Sequence, residues 1–173
     1  MSLTNRRVRN VLFVAKAGAA RPVMAETILN DLSAAGFRAY SACIDSMAEA
    51  HPEVLALLRR LRHKAPNDKV KPAEDFAGQD APVLDFIIAL DDEGVDTRGF
   101  CQGQPIVCDW RIPNPEVATG NDAEIAVAFA DTYRMLRNRI ELLAALPAAS
   151  LDRLAWKQRI EAIDDEADAG LAD

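Results

Sequence analysis

The sequence predicts an α/β fold: a doubly wound parallel four-stranded sheet with helices on both faces, followed by a C-terminal helical extension. Two short apolar runs carry the prediction, Val-Arg-Asn-Val-Leu-Phe-Val at 8–14 and Val-Leu-Asp-Phe-Ile-Ile-Ala-Leu at 83–90. Both are rich in β-branched and aromatic residues and short for helices, as expected of strands buried on both faces. Between and after them apolar residues recur every three or four positions, and strands that alternate with helices build a parallel sheet. With 173 residues and 50% hydrophobic content, the chain can fill one ordinary core but not two typical domains and a linker. The expected division is a main domain over 1–146, then a helix and acidic tail over 147–173.

After the first strand comes a Gly-containing turn, and Pro22 then suits a first helical position because the N–H it lacks would be unpaired there. Met24, Ile28, Leu29 and Leu32 continue at helical spacing until Gly36. Residues 37–43 read as a second strand. A helix over about 51–63 carries Val54, Leu55, Leu58 and Leu61 as an apolar stripe, and Pro66, Asn67 and Asp68 break it. Beyond the strand at 83–90, residues 104–109 form a weaker strand candidate leading to Trp110. From Asp122, the series Ile125, Phe129, Tyr133, Leu136, Ile140 and Leu143 predicts a long amphipathic helix over one face of the sheet, stopped by Pro147. Ser150 is expected to cap a last helix over 150–163, with Leu151, Leu154, Ala155 and Ile160 on its buried side. The acidic stretch 161–173 is expected to stay solvated and mobile.

Charge and composition narrow the partners. A formal net charge of −7 repels a nucleic-acid backbone and anionic lipid, so neither nucleic acid nor membrane is expected. No apolar stretch approaches the roughly 20 residues needed to span a bilayer, and a cytoplasmic, reducing location is expected. Cys43, Cys101 and Cys108 form no CxxC pair, and His51 and His63 lie in no ligand-spaced cluster, so no metal and no cofactor are expected. Cys43 and Cys108 read as small core residues at strand ends. Cys101, in a Gly-containing loop, is the one candidate for reactivity. Asp91, Asp92 and Glu93 read as a solvated turn more readily than as a Mg²⁺ cluster.

In a doubly wound sheet ligands collect at the carboxyl ends of the strands, and the first strand-to-helix loop is the usual phosphate site. Here that loop is Lys16-Ala17-Gly18-Ala19-Ala20-Arg21. Successive N–H groups can curl round an anion, the helix N-terminus adds about half a positive charge, and a guanidinium can hold two oxygens at once. Gly18 reaches positive φ at no steric cost. Arg21 has two readings, a solvated arginine at a helix start or one wall of an anion cradle. Lys16 either adds charge at the rim or is merely solvated.

The run 11–26, Val-Leu-Phe-Val-Ala-Lys-Ala-Gly-Ala-Ala-Arg-Pro-Val-Met-Ala-Glu, resembles the phosphate-binding loop of the low-molecular-weight tyrosine phosphatases and their arsenate reductase relatives. In that family an apolar strand enters Cys-x5-Arg and a helix that commonly opens with Met-Ala-Glu. Arg21 is in register, and Ala15 stands where the cysteine belongs. Gly18 takes the place of a family Asn and Ala17 that of a Gly. The segment Trp110-Arg111-Ile112-Pro113-Asn114-Pro115 resembles the one carrying the general-acid aspartate, with Asn114 in its position. Pro22 replaces a hydroxyl residue that would hydrogen-bond the thiolate, and Leu90 stands at the first relay cysteine of the reductases. The resemblance spans about 8–145.

It implies that the catalytic positions are Ala15, Pro22 and Asn114. A methyl group cannot attack phosphorus or arsenic, proline has no donor, and an amide gives up no proton at neutral pH. The expectation is a catalytically inactive phosphatase-like protein that binds phosphate, another oxyanion or a phosphorylated ligand at Lys16, Ala17, Gly18, Ala19, Ala20 and Arg21. A protein partner or a second copy of the chain is a further expected partner. Two rivals stay open: an active phosphatase or arsenate reductase with a non-standard nucleophile such as Cys101, and a structural or interaction module with an empty loop.

Overall fold

The computed structural model describes residues 7–32, 36–44, 48–64, 69–91, 96, 101, 103–147 and 151–170. In chain order the elements are β1 (Arg9–Ala15), α1 (Ala20–Leu32), β2 (Phe37–Cys43), β3 (Ala48–Glu49), α2 (Pro52–Arg60), β4 (Lys69–Pro72), β5 (Phe86–Ala89), β6 (Ile106–Asp109), α3 (Asp122–Ala144) and α4 (Arg153–Gly170). Short 3-10 turns span Ala73–Ala77 and Pro115–Val117. The sheet order is β3-β4-β2-β1-β5-β6, parallel except where β3 meets β4.

The expected four strands are present as β1, β2, β5 and β6, and the sheet extends further on the β2 side. β4 and β3 escaped the pattern because they are very short: β3 is a two-residue edge strand, and in β4 alternating lysines and Pro72 mask any apolar signal. Val11 to Ala15 are fully buried, as a central parallel strand requires. Val11 and Phe13 face a core shared with all four α-helices. Leu12 and Val14 face a second, smaller core with Ala73 and Phe76 of the first 3-10 turn and with Leu84, Ile87 and Ala89.

Each helix follows its local chemistry. His51 caps α2 by accepting from the Glu53 N–H, and Pro52 opens it. Val54, Leu57 and Leu58 are its buried residues, whereas Leu61, expected in the stripe, is 45% exposed because the helix has already ended at Arg60. Asn121 caps α3 through the Glu124 N–H, and Phe129, Tyr133, Leu136, Ile140 and Leu143 form its buried face as expected.

The C-terminal helix differs most from expectation. Ser150 lies outside the described residues, and it is Asp152 whose carboxylate accepts the Ala155 N–H at the helix start. Leu154, expected on the buried side, is exposed, while Trp156, Ile160, Ile163 and Ala167 are buried against β6 and α3. The helix therefore runs through the first part of the expected solvated tail, 161–170, because Ile163 and Ala167 continue its apolar stripe. Trp110 donates its indole N–H to the Ile160 carbonyl at 3.0 Å, fixing the depth of the helix on the sheet. Among the described residues no helix is long and apolar enough to cross a membrane.

Candidate functional site

β1 lies between β2, the next strand in sequence, and β5, which the chain reaches only later. The crossovers therefore leave β1 in opposite directions and open a crevice at its carboxyl end. The loop from Lys16 to Ala19 fills that crevice and turns into α1. Ala15 ends β1 with its side chain fully buried, paired in register with Cys43 of β2. Gly18 has φ +82°, the left-handed conformation that glycine adopts freely. Ala17 keeps an ordinary φ, since among the described non-glycine residues only Arg62 is positive. The Cys43 thiol donates to the Gly18 carbonyl at 3.3 Å and supports the loop from beneath.

Arg21 is neither solvated nor free to swing. Its side chain is 4% exposed, and its guanidinium makes four hydrogen bonds to three pieces of chain. Nη1 donates to the carbonyls of Leu90 and Ile112, both at 2.9 Å. Nη2 donates to the Ala17 carbonyl at 3.0 Å and to Asp91 Oδ1 at 2.8 Å. Nε is the one buried side-chain nitrogen or oxygen without a partner among the described residues. The second oxygen of Asp91 accepts the Lys16 N–H at 2.5 Å. A carboxylate from the end of β5 is thus bound at the mouth of the loop by a backbone N–H and by Arg21. This corrects the reading of Asp91 as a solvated turn; Asp92 and Glu93 lie outside the described residues.

The N–H groups of Ala17, Gly18 and Ala19 meet no acceptor among the described residues. They precede α1, a helix of 13 residues with no acidic side chain in its first turn, so its positive end is not offset by its own sequence. On the far side, the Glu116 carboxylate lies where a Cβ on Gly18 would be, with Asn114 Nδ2 at 3.5 Å from the same point. Asn114 accepts the Glu116 N–H at 3.0 Å and so shapes the turn that brings Glu116 over the loop.

The structure therefore gathers Lys16 to Arg21, Pro22 and Asn114 around one loop, and adds Asp91 and Glu116, which sequence reasoning missed. Asp91 carries a signal in hindsight: it follows the apolar run of β5 directly, and β5 is the neighbour of β1 in the sheet. Cys101 lies elsewhere, packed against the smaller core on the opposite face from α1. Burial raises its thiol pKa, which disfavours the thiolate. Among the described residues no group of three or more His, Cys, Asp or Glu side chains is arranged to hold a metal ion.

A parallel sheet with its first loop wrapped at a helix N-terminus above an inward-turned arginine defines a class of small α/β phosphatase-like domains. Residues 10–154 match the family described as low molecular weight phosphotyrosine protein phosphatase, and the chain belongs to that family. Among solved structures, an arsenate reductase in the phosphate binding state superposes with TM-score 0.64 and 25% identity, over 80% of this chain and 98% of that chain. SP-PTP, the low molecular weight protein tyrosine phosphatase of Streptococcus pyogenes, shares the fold with TM-score 0.59 and 17% identity, over 84% of this chain and 95% of its own. YfkJ from Bacillus subtilis does so with TM-score 0.57 and 22% identity, over 83% and 98%. No curated protein matches the chain in sequence.

Proposed function

We propose that this protein is a non-hydrolytic member of its family that binds phosphate or a phosphate-bearing ligand at the loop 16–21. The observation that carries the reading is the set of loop N–H groups, Ala17 to Ala19, that meet no acceptor among the described residues at the N-terminus of α1, beside a buried Arg21 whose Nε also meets none among them. A tetrahedral oxyanion offers several acceptors converging on one point, which such a loop satisfies and a single carboxylate does not. The superposed arsenate reductase in a phosphate binding state supports the same ligand chemistry. Catalysis is absent on this reading because Ala15, at the position of the nucleophile, ends in a methyl group, Pro22 has no donor and Asn114 has no acidic proton.

Asp91 changes how the anion enters. Its carboxylate already bonds Lys16 N–H and Arg21, so an incoming oxyanion displaces it from those donors or binds beside it against like-charge repulsion. Affinity for free phosphate is then modest, and the loop favours ligands whose remaining atoms find further contacts. The test has two arms. Purified protein is assayed for hydrolysis of p-nitrophenyl phosphate, and its thermal midpoint is followed against phosphate, sulfate and arsenate; a ligand at 100 times its Kd adds about 2.7 kcal/mol. No turnover with a saturable rise in midpoint is expected. Turnover above background, or a midpoint indifferent to all three anions, overturns the reading.

A further inference from the structure

We infer that the protein carries a second anion site at the opposite end of the sheet, suited to a small ligand with two or more phosphate charges. At the amino ends of β1, β5 and β6 lies a cleft of about 370 Å³ whose walls include Arg7, Arg9, Arg153, Asp85 and Trp156. Its charged lining is three guanidinium groups against one carboxylate, in a chain that is acidic overall. Each arginine is held in place. Arg7 pairs with Asp85 at 2.6 Å, Arg9 lies over the Trp156 ring at 5.5 Å, and Arg153 donates to the carbonyls of Gln104 and Pro105. The Asp85 carboxylate offsets the charge of Arg7, whereas carbonyls orient Arg153 without cancelling its charge, and three guanidinium groups against one carboxylate leave the lining net positive.

Two of the cleft's components, Arg153 and Trp156, come from the start of α4. The family match ends at residue 154, and α4 runs on to Gly170, so most of this helix lies beyond the matched residues. It seats Trp156 against Phe37 and Phe86 and brings its own positive N-terminal end to the strand ends. The result is a set of forked donors on a rigid aromatic floor. That arrangement suits the several oxygens of a diphosphate better than a single carboxylate, because each guanidinium can engage two oxygens of one phosphate group.

Inorganic pyrophosphate titrated into the full-length protein is the probe, read by the indole N–H signal of Trp156 in NMR. Saturable movement of that signal is expected. Arg153→Gln and Arg7→Gln should each weaken binding roughly tenfold or more, the size expected for losing a charged hydrogen bond. Asp91→Asn, which alters only the loop site, should leave this affinity unchanged. Both arginines are exposed, and an unchanged thermal midpoint confirms that the variants fold. An unmoved Trp156 signal overturns the assignment, as does binding indifferent to both arginine variants or shifted by Asp91→Asn. Citrate binding as tightly as pyrophosphate overturns the phosphate preference.

Discussion

The Asp164 carboxylate meets the Arg139 guanidinium at 2.9 Å, with side-chain exposures of 6% and 0%. The same carboxylate accepts the backbone N–H and the Nε–H of Arg111. Residue 111 is followed by Ile112, whose carbonyl holds Arg21. A helix that lies mostly beyond the family match is therefore wired, through one buried acid, to the segment that closes the candidate site.

Asp164→Ala should be strongly destabilising, because it leaves Arg139 buried without this carboxylate and removes the bonds that Asp164 accepts from Arg111. A loss of about 3 kcal/mol or more is expected, read as a fall in thermal midpoint. Phosphate affinity should fall as well, since the 110–116 segment loses one of its ties to the C-terminal helix. A midpoint within experimental error of the parent would mean that the pair contributes nothing net.

Gly18→Ala puts a side chain at φ +82° and drives it into the Glu116 carboxylate. The backbone alone should cost about 1–2 kcal/mol. Glu116→Ala in the same chain removes the collision but not the backbone strain, so it should rescue part of the loss. Full rescue would show that strain at Gly18 is negligible; no rescue would show that Glu116 moves aside freely.

Glu26 gives a pH dependence with a definite sign. Burial raises its carboxyl pKa, opposed in part by the hydrogen bond from Ser41 and by the charge of Lys71. A group whose folded pKa lies above its unfolded one contributes stability that is complete below the unfolded value and is lost as pH rises through the folded value. Glu26→Gln keeps an acceptor for Ser41 and has no proton to lose. Its stability relative to the parent should therefore rise from the acid side of the carboxylate range up to neutral pH, measured by denaturant unfolding at several pH values. A constant difference across that range would contradict the assignment.

The cysteines should react in a set order. Cys108 is buried, and burial together with the nearby Glu161 and Asp109 pushes its thiol up to about 12, so alkylation near neutral pH should be very slow. Cys101 is partly exposed and should react first, though slowly for a free thiol because burial raises its pKa too. Modified protein should bind phosphate as the parent does. Loss of binding on alkylation of Cys101 would favour a thiol-dependent site.

Much of the architecture was legible because it is written in local periodicity. The apolar runs of β1 and β5 and the stripe of α3 each announce their element within a few turns of chain. The loop was legible for the same reason, since strand, Gly18, Arg21 and Pro22 are contiguous. What escaped depends on distant partners. Asp91 is 75 residues from the Lys16 N–H it accepts, and Asp164 is 53 residues from Arg111. Sequence alone offers no reason to single out one acid in a charged helix. Leu154 and Trp156 lie too close in sequence for periodicity to decide which is buried, and only the seat against Phe37 and Phe86 selects Trp156.

On the proposed function the loop binds an oxyanion in competition with Asp91. A phosphate titration of the ¹⁵N-labelled parent and Asp91→Asn proteins, following the backbone amides of Lys16 to Arg21, tests it most directly. Saturable shifts confined to these amides are predicted in both, with affinity on the order of tenfold higher in Asp91→Asn, where the competing charge is gone. Loop amides that stay in place in both proteins, or weaker binding in Asp91→Asn, would contradict the claim.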